Sequence, residues 1–241
     1  MTVGVALAVT LAACGSSRLD GVPVDWPGFR EPRLPMAPSD PAQCPDLAGP
    51  YRIQGEFRTG ERDASLDDLG RFLAWTLYLP GMGQGEARAW NPAPGASVAF
   101  ASDARAWRAL LRDGRGGKLE GRLPDAASPA DGLVDPARSQ VMLVSGCAQG
   151  RLWISAREDW RQHESQGVRR HVAMLQPEGG GLLLTVRRES DSIGMLLPWY
   201  SNDSRVSQYW FAPARTLMNA LGPRATPARA VSCLPFPSMC P

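Results

Sequence analysis

The sequence predicts an α+β, mainly β domain: a curved antiparallel sheet built from hairpins, with one or two helices covering part of it. Three observations carry the prediction. Residues 51–58 (Tyr-Arg-Ile-Gln-Gly-Glu-Phe-Arg) alternate apolar and polar side chains, the pattern of a half-buried strand. Ser65 opens a stretch in which Leu66, Leu69, Phe72, Leu73 and Leu77 recur at helical spacing. The second half of the chain carries successive pairs of apolar runs separated by turn-forming residues, and consecutive hairpins favour a meander.

Taken in order, the strand at 51–58 is followed by an amphipathic helix over 66–78. Ser65 and Asp68 have capping-box spacing, Asp67 and Asp68 suit the positive end of the helix, and Pro80-Gly81 ends it. A second, shorter helix is predicted for 104–112, with Trp107, Leu110 and Leu111 on one face and Gly114 as its stop. Residues 114–138, rich in Gly, Pro and Asp, read as loop with a weak strand near 118–123. Three hairpins follow. The first joins 141–145 to 151–156 through Gly146, Gln149 and Gly150; the second joins 171–176 to 182–188; the third joins 193–200 to 205–211 through Ser201-Asn202-Asp203-Ser204. Residues 213–221 read as a short helix, with Pro at its first position and Gly222 after it. No internal repeat of fixed period is visible, and the strand count does not demand closure into a barrel.

The chain divides into three parts. Residues 1–13 read as an export signal: the run 3–11 is almost wholly apolar and too short to span a bilayer, which takes roughly 20 residues. It ends in Leu11-Ala12-Ala13-Cys14, which resembles the bacterial lipobox, in which the cysteine becomes the acylated first residue of the mature protein. Residues 1–10 contain no Lys or Arg, where such a signal ordinarily begins with one, so a start upstream of Met1 is expected. Gly15 stands where an aspartate would favour retention in the inner membrane, so the expected location is the outer membrane, facing the periplasm. Residues 14–43 form the lipidated cysteine and a tether: Pro23, Pro27, Pro32, Pro35, Pro38 and Pro41 favour extended polyproline geometry. Trp26 and Phe29 are unlike a pure spacer and are expected to pack on the domain or to sit at a membrane interface. Residues 44–241 form a single globular domain.

The formal net charge of +2 and the absence of a basic block give no reason to expect a nucleic-acid partner. Lys118 is the only lysine, a bias that reflects a GC-rich genome more than a binding task. Besides Cys14, four cysteines remain: Cys44, Cys147, Cys233 and Cys240. An even number in an exported chain allows three disulfide pairings, and Cys44 with Cys147 and Cys233 with Cys240 is the pairing expected. Their spacing fits no zinc site, so no metal and no cofactor is expected.

No catalytic residue can be assigned. There is no Gly-x-Ser-x-Gly elbow, phosphate loop, dinucleotide fingerprint or His-Glu-x-x-His. Glu158, Asp159 and His163 share one polar stretch and would have to converge in a cleft to act as a hydrolase; as a connection between hairpins they read as a solvated loop. His171 opens a strand and reads as structural. Trp153, Trp199 and Trp210 fall on predicted strands and are the candidate ligand-binding residues, lining an apolar or glycan groove; the alternative is that they are core.

Cys44-Pro45-Asp46-Leu47-Ala48-Gly49-Pro50-Tyr51 resembles the Cys-Pro-Asp-Leu-Ser-Gly-x-Tyr opening of an uncharacterised proteobacterial lipoprotein family, and Cys147-Ala148-Gln149-Gly150-Arg151-Leu152 is similar to its later Cys-x-x-Gly-x-Leu segment. The resemblance covers under a tenth of the chain. It implies export, lipidation and a Cys44–Cys147 bridge, and it transfers no catalytic residue. Three functions follow as expectations. The first is a membrane-anchored envelope module that binds or supports an assembly with another envelope protein. The second is a small-ligand carrier. The third, and the least supported by motifs, is a cell-wall hydrolase.

Overall fold

The computed structural model describes residues 17–47, 49–77, 79, 90–102, 106–124, 141–194 and 199–214. The signal segment, Cys14, Cys233, Cys240 and nearly all of the helix expected over 213–221 lie outside them. The described chain is mainly β. A short hairpin, β1 (Ser17–Leu19) and β2 (Val22–Val24), precedes nine strands: β3 (Pro50–Gly60), β4 (Ser97–Ser102), β5 (Trp107–Arg112), β6 (Lys118–Leu123), β7 (Val141–Ala148), β8 (Arg151–Gln162), β9 (Ser165–Glu178), β10 (Gly181–Gly194) and β11 (Tyr200–Pro213). The nine form one sheet in the order β6-β5-β4-β3-β11-β10-β9-β8-β7, with every neighbouring pair antiparallel.

The sheet curls. Leu123 from one edge strand and Leu143 from the other enter the same core, together with Val98, Leu111, Ile154, Leu175, Leu184 and Phe211 from strands between them. The edges are not zipped into a ladder: the backbone N–H and the hydroxyl of Ser145 on β7 both donate to the carbonyl of Pro124, just past β6, at 2.7 Å. The result is an open sheet wrapped round its core, not a closed barrel.

The helix expected over 66–78 is present only in fragments. A 3₁₀ turn (Ala64–Leu66) is followed by one α turn, α1 (Leu69–Arg71), and a π turn (Phe72–Thr76). Its apolar face is as predicted, with Leu66, Leu69, Phe72, Leu73 and Leu77 all buried in the concave core. The caps shift: Asp63 accepts from the N–H of Ser65, and Asp68 accepts from the N–H of Arg71. Covering helices therefore contribute little.

The second expected helix, 104–112, is a correction: residues 107–112 are β5, paired on both sides by β4 and β6. Ala109 and Leu111 are buried on one face while Leu110 lies on the other, a period of two that sheet pairing imposes over local helix propensity. The preceding β4 carried no sequence prediction, and the weak strand at 118–123 is β6.

The hairpins are longer than predicted. The stretch 158–164 is not a loop: β8 and β9 pair without interruption to Gln162↔Ser165, leaving His163 and Glu164 as the turn, with His163 at φ 51°. The third hairpin turns elsewhere. Ser201-Asn202-Asp203-Ser204 lies within β11, paired with residues 189–192 of β10, so that β10 runs on to Gly194 and β11 begins at Tyr200.

Residues 17–43, expected as a free tether, are laid across the convex face. Leu19, Val22, Val24 and Ala37 form a second buried cluster with Val144, Ala148, Trp153, Val172 and Met174, against which Trp26 and Leu34 also pack. Prolines recur here because the strap runs extended: Asp25 and Met36 exchange backbone hydrogen bonds at 2.8 and 3.0 Å. The strap then meets the β7–β8 turn, where Asp40 N–H reaches Cys147 O (2.7 Å), Gly150 N–H reaches Gln43 O (3.0 Å), and Cys44 is bonded to Cys147.

Candidate functional site

Strand alternation sorts the convex side chains of β8–β11 into cross-strand rows: Trp153, Met174, Thr185 and Gln208; then Ser155, Val172, Arg187 and Val206; then Arg157, Arg170, Glu189 and Ser204; then Asp159, Val168, Asp191 and Asn202. The first rows carry the apolar patch under the strap and the later rows are ionic. Arg157 and Arg170 are buried, and both spend their guanidinium groups on the strap. Arg170 Nη2 donates to Gly28 O at 3.0 Å and its Nη1 to Asp191 at 2.6 Å. Arg157 donates to the carbonyls of Glu31 and Arg33 and to Asp159. Arg187 reaches Ser17 Oγ and Glu189, with its guanidinium 4.5 Å from the centre of the Trp26 ring. At the hairpin turn, Arg151 meets Asp20 at 2.6 Å.

Asp191 is the hub of this network. Burial pushes its carboxyl up, but hydrogen bonds from Asn202, Arg170 and Tyr200 outweigh that and hold it below its ordinary value. A buried arginine is tolerated only when paired and hydrogen-bonded. Here the pairing partners are acidic side chains of the sheet and carbonyls of the strap, so the strap is part of the fold.

The concave face ends in a second polar cluster. His171, directly opposite Arg188 in the ladder, is buried. Burial, then the Arg188 charge, push its pKa down to about 3, with Asp63 opposing and Arg169 assisting. Arg188 lies 3.5 Å from Asp63, whose backbone N–H donates to the Tyr209 hydroxyl and whose carbonyl accepts from it. His171 is therefore a neutral structural residue at ordinary pH, in the middle of β9 where the sequence had it opening a strand.

The three candidate ligand-binding tryptophans are not brought together. Trp153 is fully buried under the strap, its indole N–H donating to Pro38 O at 2.9 Å. Trp210 shares the convex face but sits on β11, three strands from β8. It borders an open depression of about 550 Å³ lined by Asp20, Arg58, Gln176, Leu183 and Gln208. Its ring is already engaged: a Cβ on Gly181 would lie 2.6 Å from it, the Arg58 guanidinium is 5.1 Å from its centre, and its N–H donates to Glu178 O. Trp199 lies at the far end of the β10–β11 hairpin, 46% exposed beside Tyr200 at 61%. The hydrolase residues also diverge. Glu158 and Asp159 point to opposite faces of β8, paired with Arg169 and Arg157, while His163 sits on the turn. Among the described residues no group of His, Cys, Asp and Glu is arranged to hold a metal ion.

Two tryptophans follow a rule that the sequence could have revealed. Trp153 is the ladder partner of Gly146, and Trp160 of Gly167. A Cβ on these glycines would lie 2.6 and 2.7 Å from the respective indole. An indole laid over a cross-strand glycine is a packing device, which accounts for both rings without a ligand. Reading glycine positions against tryptophan positions across each hairpin would have identified them.

No protein-family model matches the chain, and neither a curated protein nor a solved structure matches it.

Proposed function

We propose that the chain is an exported bacterial lipoprotein, cleaved before Cys14, acylated there, and held at the outer membrane facing the periplasm. It acts as a binding or assembly-supporting module of the envelope. The Cys44–Cys147 bond carries the reading, because it closes a span of 103 residues in a chain that opens with an apolar run and Leu11-Ala12-Ala13-Cys14. Disulfides of this kind persist in oxidising compartments and not in the cytosol. The dispersal of Glu158, Asp159 and His163 weighs against the hydrolase alternative, and the separation of Trp153, Trp199 and Trp210 weighs against one shared ligand groove. Membrane fractionation of cells expressing the wild type and Cys14→Ala tests the proposal. The wild type is expected in the outer-membrane fraction and the variant in the soluble periplasmic fraction; equal distribution of the two would refute it.

A further inference from the structure

The β10–β11 hairpin departs from the chemistry its sequence favours. Ser201-Asn202-Asp203-Ser204, four residues suited to a turn, are spent in mid-strand. Instead β10 ends at Gly194 and β11 begins at Tyr200, with Trp199 just before it. Trp199 and Tyr200 are the two most exposed large apolar residues described, and Phe29 of the strap meets Tyr200 edge-on at 6.4 Å between centroids. Val206, on the convex face of the same β11, is 41% exposed. Apolar residues at a hairpin end and turn residues inside the strand are a conflict of the kind that marks a functional surface. Exposed apolar groups gathered along one strand mark an interaction site.

The strap says what that surface meets. Ser17 is held down by its pairing with Val24 and by the Arg187 guanidinium. Cys14 is three residues earlier, so its Cα is at most about 11 Å from that of Ser17, at 3.8 Å per step. An interfacial layer is about 5–8 Å deep, so there is no spacer to lift the domain away from the membrane. Arg187, which binds Ser17, is the ladder partner of Val206, and Tyr200 lies six residues from Val206, about 20 Å along the strand. The anchor point and the aromatic end thus lie on one face.

We infer that the Tyr200 end of the convex face of β11 rests on the lipid bilayer, with Trp199 and Tyr200 at the headgroup level, where amphipathic aromatic rings are favoured. The lipid is the occupant because the tether forces the two together. This rests on Cys14 being acylated, and the test separates the two claims. Full-length protein purified from its membrane is reconstituted into phosphatidylcholine–phosphatidylglycerol vesicles with and without brominated acyl chains, and its intact mass is read from the same sample. Brominated lipid is expected to quench wild-type tryptophan emission by up to about one-eighth, the share of one of eight indoles emitting equally. Trp199→Phe should lose that quenching and keep its acyl mass. An acylated chain quenched equally with and without Trp199 overturns the bilayer contact and leaves the anchor standing; the apolar end would then be a protein interface. A chain without acyl mass overturns both.

Discussion

His171 gives this fold a component of acid destabilisation that a single substitution can isolate. Its imidazole is buried at the end of the concave core, opposite Arg188, with Arg169 and Asp63 near by, and its pKa is pushed down to about 3. In the unfolded chain a histidine titrates near 6.5. Between these values the unfolded state binds a proton that the native state refuses, so stability rises with pH. The contribution is complete above about 6.5 and is lost progressively as pH falls toward 3. At pH 5 the loss is about 1.5 units at 1.36 kcal/mol each, or about 2 kcal/mol. Urea unfolding of wild type and His171→Gln at pH 7.5 and 5.0, followed by tryptophan fluorescence, isolates it. Carboxylates titrate in both proteins and cancel in the double difference. The wild type should lose about 2 kcal/mol more than the variant on acidification, a midpoint difference of about 1 M for a urea slope near 2 kcal/mol/M. Equal losses would refute the assignment of a neutral, buried His171.

Three further outcomes follow from the strap and the network beneath it. Reducing Cys44–Cys147 removes a cross-link over 103 residues, which the chain-entropy account values at about 4.7 kcal/mol; the unfolding midpoint with reductant measures it, and an unchanged midpoint contradicts it. Asp191→Ala removes the acidic partner 2.6 Å from buried Arg170 and leaves Glu189 at 4.0 Å. Losing one partner of a buried pair costs about 3–5 kcal/mol; Asp191→Asn loses the charge but keeps an acceptor, so it should cost somewhat less than Ala, and an Asn variant as stable as the wild type would argue against the charge pairing. Trp153→Ala should cost about 3–5 kcal/mol and speed proteolysis within residues 17–43, because the strap loses both its apolar seat and the hydrogen bond at Pro38. Unchanged cleavage would show that the strap does not depend on that ring.

What could be read from the sequence follows from where the physics is local. The 51–58 alternation, the buried face of 66–77 and two of the three hairpin turns were legible because side-chain period and turn chemistry are short-range signals. The Trp199 region was misplaced for the opposite reason: its apolar run reads as strand and its polar run as turn, and only long-range pairing of β11 with β3 and β10 fixes the register. Helix 104–112 failed similarly, since Ala-rich local propensity yields to pairing on both sides. The strap was hidden because prolines describe an extended backbone whether it is free or docked. Its docking depends on Arg157 and Arg170, more than a hundred residues away. Of the candidate site residues, the Cys44–Cys147 pair was foreseen, and the three tryptophans were grouped by residue type although strand register separates them.

The intact mass of the protein purified from its native membrane tests the central claim most directly. A chain beginning at residue 14 and carrying acyl groups, with Cys14→Ala left unmodified, is the predicted result. A wild-type chain that is unacylated, or cleaved elsewhere, would contradict the anchor and the orientation built on it.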